Sequence, residues 1–218
     1  MFGEDFYGYL TQHPEDAAVF KAMGTDTSGQ AVPAILAAYD FSGCGTVVDV
    51  GGGEGAFLRG VLERHPHLRG VLFDLPPVVA GADRLREGAL AARCEIVGGD
   101  MFQSVPKGGD VYVLQGVIHN WSDAEAIQIL QRCRVAMNGE GKLLIIEGIV
   151  KSPNETDFLK ITDLQALVLL TGRERTEAEF QSLLAAAGFN LARVLAAGGK
   201  AIVEATPEHS STPASAPV

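Results

Sequence analysis

Basic residues are scarce in this 218-residue chain: 17 Lys and Arg stand against 27 Asp and Glu, for a net charge of −10. No stretch gathers the positive charges into a block, which excludes a nucleic-acid-binding surface as its main feature. Cysteine is scarcer still. Cys44, Cys94 and Cys133 are odd in number and share no C-x-x-C spacing, so neither a disulfide framework nor a zinc site is expected. Small core thiols in a reducing compartment are the simplest account of them. The apolar runs are interrupted well short of a membrane span, and the start lacks the charged-then-apolar order of a signal peptide. The five histidines are scattered, giving no metal constellation, and no internal repeat is visible. The expectation is a soluble cytoplasmic protein with one α/β domain and a substantial core.

What the chain does have is glycine in one place. Thr46 to Phe57 reads TVVDVGGGEGAF. Val47, Val48 and Val50 form a β-branched run suited to a short buried strand. Asp49 sits near its end, and Gly51, Gly52, Gly53 and Gly55 follow, where a backbone without Cβ atoms can turn tightly and approach a ligand. Phe57, Leu58, Val61 and Leu62 then recur at helical spacing. Strand, glycine turn and helix are how an α/β sheet presents a nucleotide at its carboxyl edge. Gly51, Gly53 and Ala56 also satisfy G-x-G-x-x-G/A, with Asp74 at the right distance for a ribose hydroxyl, so the pattern alone admits a nicotinamide dinucleotide. Electrostatics favours the other class. A pyrophosphate wants helix amides and no anion nearby, whereas Asp49 and Glu54 flank this turn. S-adenosylmethionine, with an ammonium, a sulfonium and one carboxylate, tolerates them.

Residues 1–40 read as helical lead-in, with one helix after Pro14 and a second over Ala31 to Tyr39. Beyond the glycine unit, strands are expected at 70–74, 94–97, 110–114 and 142–150, with amphipathic helix between Pro76 and Ala92. Ser122 and Glu125 make a capping box for a helix whose buried face includes Ala126, Ile129, Leu130 and Cys133. A helix is expected near 158–170, another after Thr176, and a hairpin through Gly198 and Gly199 ends the folded part near residue 205. The Pro/Ser/Thr-rich stretch 206–218 has nothing to bury and is expected to be disordered.

The ordered set VVDVGGGEG (47–55), FDLP (73–76), GGDMF (98–102), HNWSD (119–123), IIEGIV (145–150) and GRERTEAEF (172–180) resembles the S-adenosylmethionine-dependent O-methyltransferases of the plant caffeic acid/hydroxyindole class and their bacterial secondary-metabolism relatives. The likeness covers residues 2 to 205. It implies a Rossmann-like class I methyltransferase fold: a mostly parallel seven-stranded sheet with a C-terminal antiparallel hairpin, residues 41–205 forming the cofactor-binding catalytic domain. It further implies that Asp49, Gly51, Gly53, Asp74, Leu75, Asp100, Met101 and Gln115 surround S-adenosyl-L-methionine, Asp74 at the ribose and Asp100 with Met101 at the adenine. His119 would be the general base, oriented by Glu147 and Glu174, with no metal. The acceptor would be a small aromatic or polyketide-like hydroxyl compound.

Three positions depart from the family pattern. Asn120 stands where an Asp is common, Gln115 where a Lys often meets the cofactor, and Thr171 where a glycine usually begins the GRERT loop. Full-length members also carry an N-terminal helical dimerisation domain, and this chain starts where that domain would end. Residues 1–40 are therefore expected to be the remnant of the link to it, and the chain itself to be a monomer or a weak self-associate. An inactive cofactor-binding module and a nicotinamide-dependent oxidoreductase are the alternatives.

Overall fold

Thr46–Val50, the β-branched run ahead of the glycines, is strand β1 at the centre of a seven-stranded sheet ordered β3-β2-β1-β4-β5-β7-β6. The computed structural model describes residues 6–137, 139–151 and 172–208. Strands β2 (Arg69–Asp74), β3 (Cys94–Gly98), β4 (Val111–Gln115) and β5 (Lys142–Glu147) run parallel to β1. β6 (Phe189–Ala197) and β7 (Lys200–Pro207) form the terminal hairpin, with β7 antiparallel to β5. The chain steps outward from β1 through β2 to β3, then returns to β4 on the other side. This reversal leaves a crevice at the carboxyl ends of β1 and β4, where ligands of such sheets bind.

Both faces of the sheet are covered, which explains the nearly unbroken aliphatic strands. On one face Val48, Tyr112, Leu114 and Ile145 pack under α6 (Asp123–Ala136) and α7 (Glu177–Ala186). On the other, Val47, Leu72, Val113 and Ile146 pack under α2 (Pro14–Ala38) and α3 (Ala56–Arg64). Both expected caps are present: Ser122 accepts from Glu125 N and Thr176 from Glu179 N, each with the reciprocal carboxylate bond. Each cap contributes about 1 kcal/mol. α1 (Phe6–Gln12) precedes α2.

Four boundaries differ from expectation. The two lead-in helices are one helix, α2, with Pro33 inside it. An interior proline costs ~3 kcal/mol, but the same turn buries Val32 and Ile35 against α3, and ~1.5–3 kcal/mol for each such side chain outweighs it. The stretch 76–92 breaks into α4 (Pro76–Val79), a 3-10 turn at Asp83–Leu85 and α5 (Gly88–Ala91). Val79, Ala82 and Leu85 are buried at three-residue intervals, and Arg86 caps the α4 carbonyls of Val79 and Ala80, so tight turns serve better than one helix. β5 stops at Glu147; beyond it Ile149 makes only a single bridge, to Arg175. β7 takes Thr206 and Pro207 into the sheet, with Pro207 opposite the buried Phe189. The helix expected at 158–170, Thr171 and the tail from 209 onward lie outside the described residues.

Candidate active site

Gly51, Gly53 and Gly55 all have positive φ (68°, 62° and 81°), so the turn after β1 requires glycine. The Gly51 and Gly52 amides both donate to Phe73 O of β2, at 2.8 and 3.3 Å. Asp74, at the end of β2, accepts from Gly53 N at 2.8 Å through one oxygen and from Leu75 N at 2.7 Å through the other. Among the described residues a Cβ on Gly53 would meet nothing within 4 Å, so the open side of the turn is there. Asp49 is not on that open side. It lies 1% exposed beneath Gly52, against Leu72 and the first turn of α3, and supports the turn from below. Neither of its oxygens has a hydrogen-bond partner of good geometry among the described residues. Burial, reinforced by the charge of Asp74, pushes its carboxyl up to about 7, the Leu58 amide pulling the other way.

The neighbouring strand ends complete this half. Asp100, two residues past β3, accepts from Phe102 N at 2.9 Å, and Met101 packs partly buried on the core. Leu75 is 47% exposed beside Asp74, an apolar surface at the rim of the crevice. Gln115, the last residue of β4, exchanges two bonds with α2: Ser28 Oγ donates to its Oε1 at 3.0 Å, and its Nε2 donates to Ser28 O at 3.3 Å. The lead-in helix thus belongs to the same body as the sheet. A crevice with carboxylates, exposed backbone and an apolar rim fits a cationic, hydroxylated ligand with a flat ring better than a pyrophosphate.

His119 lies on the 3-10 turn Ile118–Asn120 that follows β4. Its Nδ1 is 3.1 Å from Glu174 Oε1, and its backbone N–H donates to Glu147 Oε1 at 3.1 Å. Glu147 and Glu174 are buried, whereas the imidazole is 33% exposed. With Nδ1–H donated to the carboxylate, Nε2 of the neutral ring holds the lone pair and makes no hydrogen bond among the described residues, and it faces Gly116. Burial alone lowers the histidine's pKa; the hydrogen bond that the ring donates to Glu174 and the charges of Glu147 and Glu174 outweigh it, and the net shift is upward, against opposition from Lys200. The Glu147 carboxyl is raised by burial, with the His119 ring and backbone amide opposing. Asn120 turns back to donate to Gly116 O at 3.3 Å, so it closes the turn and gives the imidazole no support.

Such a ring can take a proton from a hydroxyl placed in the crevice, beside a turn suited to a nucleoside. The sequence matches the model of the O-methyltransferase domain over residues 1–190. The chain belongs to this family. A phenazine O-methyltransferase of Lysobacter antibioticus is 47% identical over 208 residues, covering 94% of this chain and 61% of that protein. A mitomycin biosynthesis 6-O-methyltransferase of Streptomyces lavendulae is 40% identical, covering 90% and 56%. The crystal structure of an O-methyltransferase from neocarzinostatin biosynthesis, in complex with S-adenosyl-L-homocysteine and 1,4-dihydroxy-2-naphthoic acid, superposes with a TM-score of 0.87 at 33% identity, over 94% of this chain and 62% of that one. The chain therefore spans about three fifths of the length of the relatives it matches.

Within this O-methyltransferase domain, every residue expected at the site lies at the carboxyl edge of the sheet or just beyond it. Three further residues belong with them. Ser28 stands on a helix 87 residues from its partner Gln115, and nothing in its local sequence marks it. Lys200, the first residue of β7, neighbours Ala201, which pairs with Glu147. Burial lowers the pKa of its ammonium, with Glu147 and Glu174 opposing. Arg175 is 1% exposed, and its position in GRERT next to Glu174 was the available signal.

Proposed function

We propose that this chain transfers the methyl group of S-adenosylmethionine to a hydroxyl of a small aromatic or polyketide-like acceptor, with His119 as the base. The observation that carries this is the His119 imidazole: one nitrogen is held by a buried carboxylate and the other makes no hydrogen bond among the described residues, on the same edge as the glycine turn. The bound cofactor supplies an electrophilic methyl group on a sulfonium. An aromatic hydroxyl has a pKa near ~10 and is a poor nucleophile at neutral pH. Nε2 takes its proton as the oxygen attacks, and Glu174 and Glu147 stabilise the imidazolium that results. Asp74, Asp100, Met101, Leu75 and Gln115 would hold the nucleoside, and Gly51 and Gly53 would pass it closely. The acceptor class is supported by relatives named for phenazine, mitomycin and 3-amino-4-hydroxybenzoate methylation. Two other relatives are named for methylation at nitrogen. A neutral amine carries its lone pair free and gains little from a base before attack, so the His–Glu pair favours oxygen.

Family membership favours the sulfonium cofactor over a nicotinamide. No helix of the described residues is long and apolar enough to cross a membrane, which suits a cytoplasmic enzyme acting on a small molecule. Calorimetry of the purified chain tests the cofactor assignment. S-adenosylhomocysteine should give saturable one-site heat and NADH none; saturation by NADH alone would remove the proposal.

A further inference from the structure

Arg175 is the largest of the fully buried side chains, and all five of its N–H groups are used. Nε donates to Asp123 Oδ1 at 3.1 Å and Nη2 to the same oxygen at 2.8 Å. The second Nη2 hydrogen goes to Trp121 O at 2.9 Å, and Nη1 serves Ile118 O at 3.1 Å and Arg173 O at 3.4 Å. Ile118 and Trp121 bracket His119 in the chain, and Glu174 is the residue before Arg175. One rigid planar group therefore spans the turn that carries the imidazole and the loop that carries its carboxylate. The backbone repeats the connection. Val150 N donates to Arg175 O at 3.0 Å, tying the same loop to the segment after Glu147. Gly172 lies so close on the turn that a Cβ there would overlap His119 O.

We propose that Arg175 is a positioning residue: it fixes the His119 ring against Glu174 and acts on methyl transfer through that ring, touching neither reactant. An arginine is required because the hydrogen bonds run in one plane to three carbonyls and a carboxylate. A lysine offers three donors on a flexible stem and cannot reproduce the fork. Among the described residues, the charged groups facing His119 are Glu147 from β5, Glu174 from the loop and Lys200 from β7. None of them changes in Arg175→Lys, which also keeps the positive charge. Any change in the titration of His119 then reports displacement of the ring from Glu174.

The proposal rests on His119 as the base for its meaning in catalysis, but its test does not. In the full chain, the His119 imidazole signal is assigned by its loss in His119→Gln and titrated by NMR. In Arg175→Lys the pKa should fall from its raised value toward the ordinary 6.5, while S-adenosylhomocysteine affinity stays within about 2-fold because the glycine turn is untouched. A cooperatively melting Arg175→Lys variant whose His119 titrates as in the wild type would overturn the proposal. Should that variant not melt cooperatively, Asp123→Asn replaces it. Asp123 is 51% exposed and takes two of the five donors, so its loss slackens the guanidinium and should move the pKa the same way by less. An unchanged titration in folded Asp123→Asn would equally overturn it. Failure of the base assignment would show separately, as unchanged turnover in His119→Ala beside a shifted titration in Arg175→Lys.

Discussion

At the β1–β2 end of the strand edge the candidate site is built mostly from backbone, whereas at the β4–β5 end it is built from side chains. The first end is made from one contiguous segment, 49–55, pinned by two β2 residues, Phe73 and Asp74. The second is assembled from 119, 147 and 174, with Arg175 holding the pieces together. A backbone site is fixed by φ and by glycine. A side-chain site is fixed by a network that desolvated charges must stabilise. The two ends should therefore fail differently: loss of a side chain at the second end removes chemistry and leaves binding, and loss at the first does the reverse.

The largest effect is expected from His119→Ala. Turnover should fall by on the order of 10²–10⁴, the usual worth of a positioned base, with S-adenosylhomocysteine affinity nearly unchanged. Along a series of acceptors with falling hydroxyl pKa, the penalty should shrink as the acceptor ionises unaided. A constant penalty would mean that the ring only positions the acceptor.

Asp74→Ala should invert the pattern. Its carboxylate holds Gly53 N and Leu75 N, and it would also meet the ribose. Hydrogen bonds to a charged group contribute ~1.5–3 kcal/mol, so cofactor affinity should weaken ~10–100-fold, read by calorimetry. At saturating cofactor, turnover should recover most of its wild-type value. A turnover loss that persists at saturation would erase the division between the two ends.

How much of this could be read beforehand follows the same division. The glycine turn, Asp74 and Asp100 stand in contiguous motifs whose spacing carries their chemistry. Glu174 was harder: between two arginines it reads locally as a surface ion-pair cluster. The arginines do form that cluster, Arg173 with Asp123 and Glu179, but Glu174 faces inward, 8% exposed. The continuity of α2 was hidden because Pro33 is a local breaker, and its compensation comes from tertiary contacts of Val32 and Ile35. Ser28 was illegible for the same reason, its meaning depending on a partner 87 residues away.

The effect smallest on binding and turnover concerns Asp49, where the backbone end carries its one buried charge. Its folded pKa of about 7 lies above the ordinary 3.8, so the folded state holds the proton more tightly than the unfolded chain. The destabilisation is absent below the ordinary value, grows as pH rises between the two, and is complete above the folded one. Asp49→Asn removes the ionisation. The variant should melt close to the wild type at pH 4 and higher than it at pH 8, by on the order of 10 °C. Equal melting-temperature differences at both pH values would place the group's pKa in the folded state near normal.

The order of the sheet has a consequence for biosynthesis. β7 is the last of the described strands to be made, yet it lies between β5 and β6. While the chain is emerging, β5, with the apolar run Leu143–Ile146, has one open edge that only residues 200–207 can close. The hairpin through Gly198 and Gly199 forms locally and fast, but its docking joins residues some sixty positions apart and comes late. Until then Glu147 ends an unprotected strand, so His119 acquires its finished surroundings only when the hairpin seats, and a nascent chain arrested before residue 200 would leave an apolar strand edge open to pairing with a neighbour.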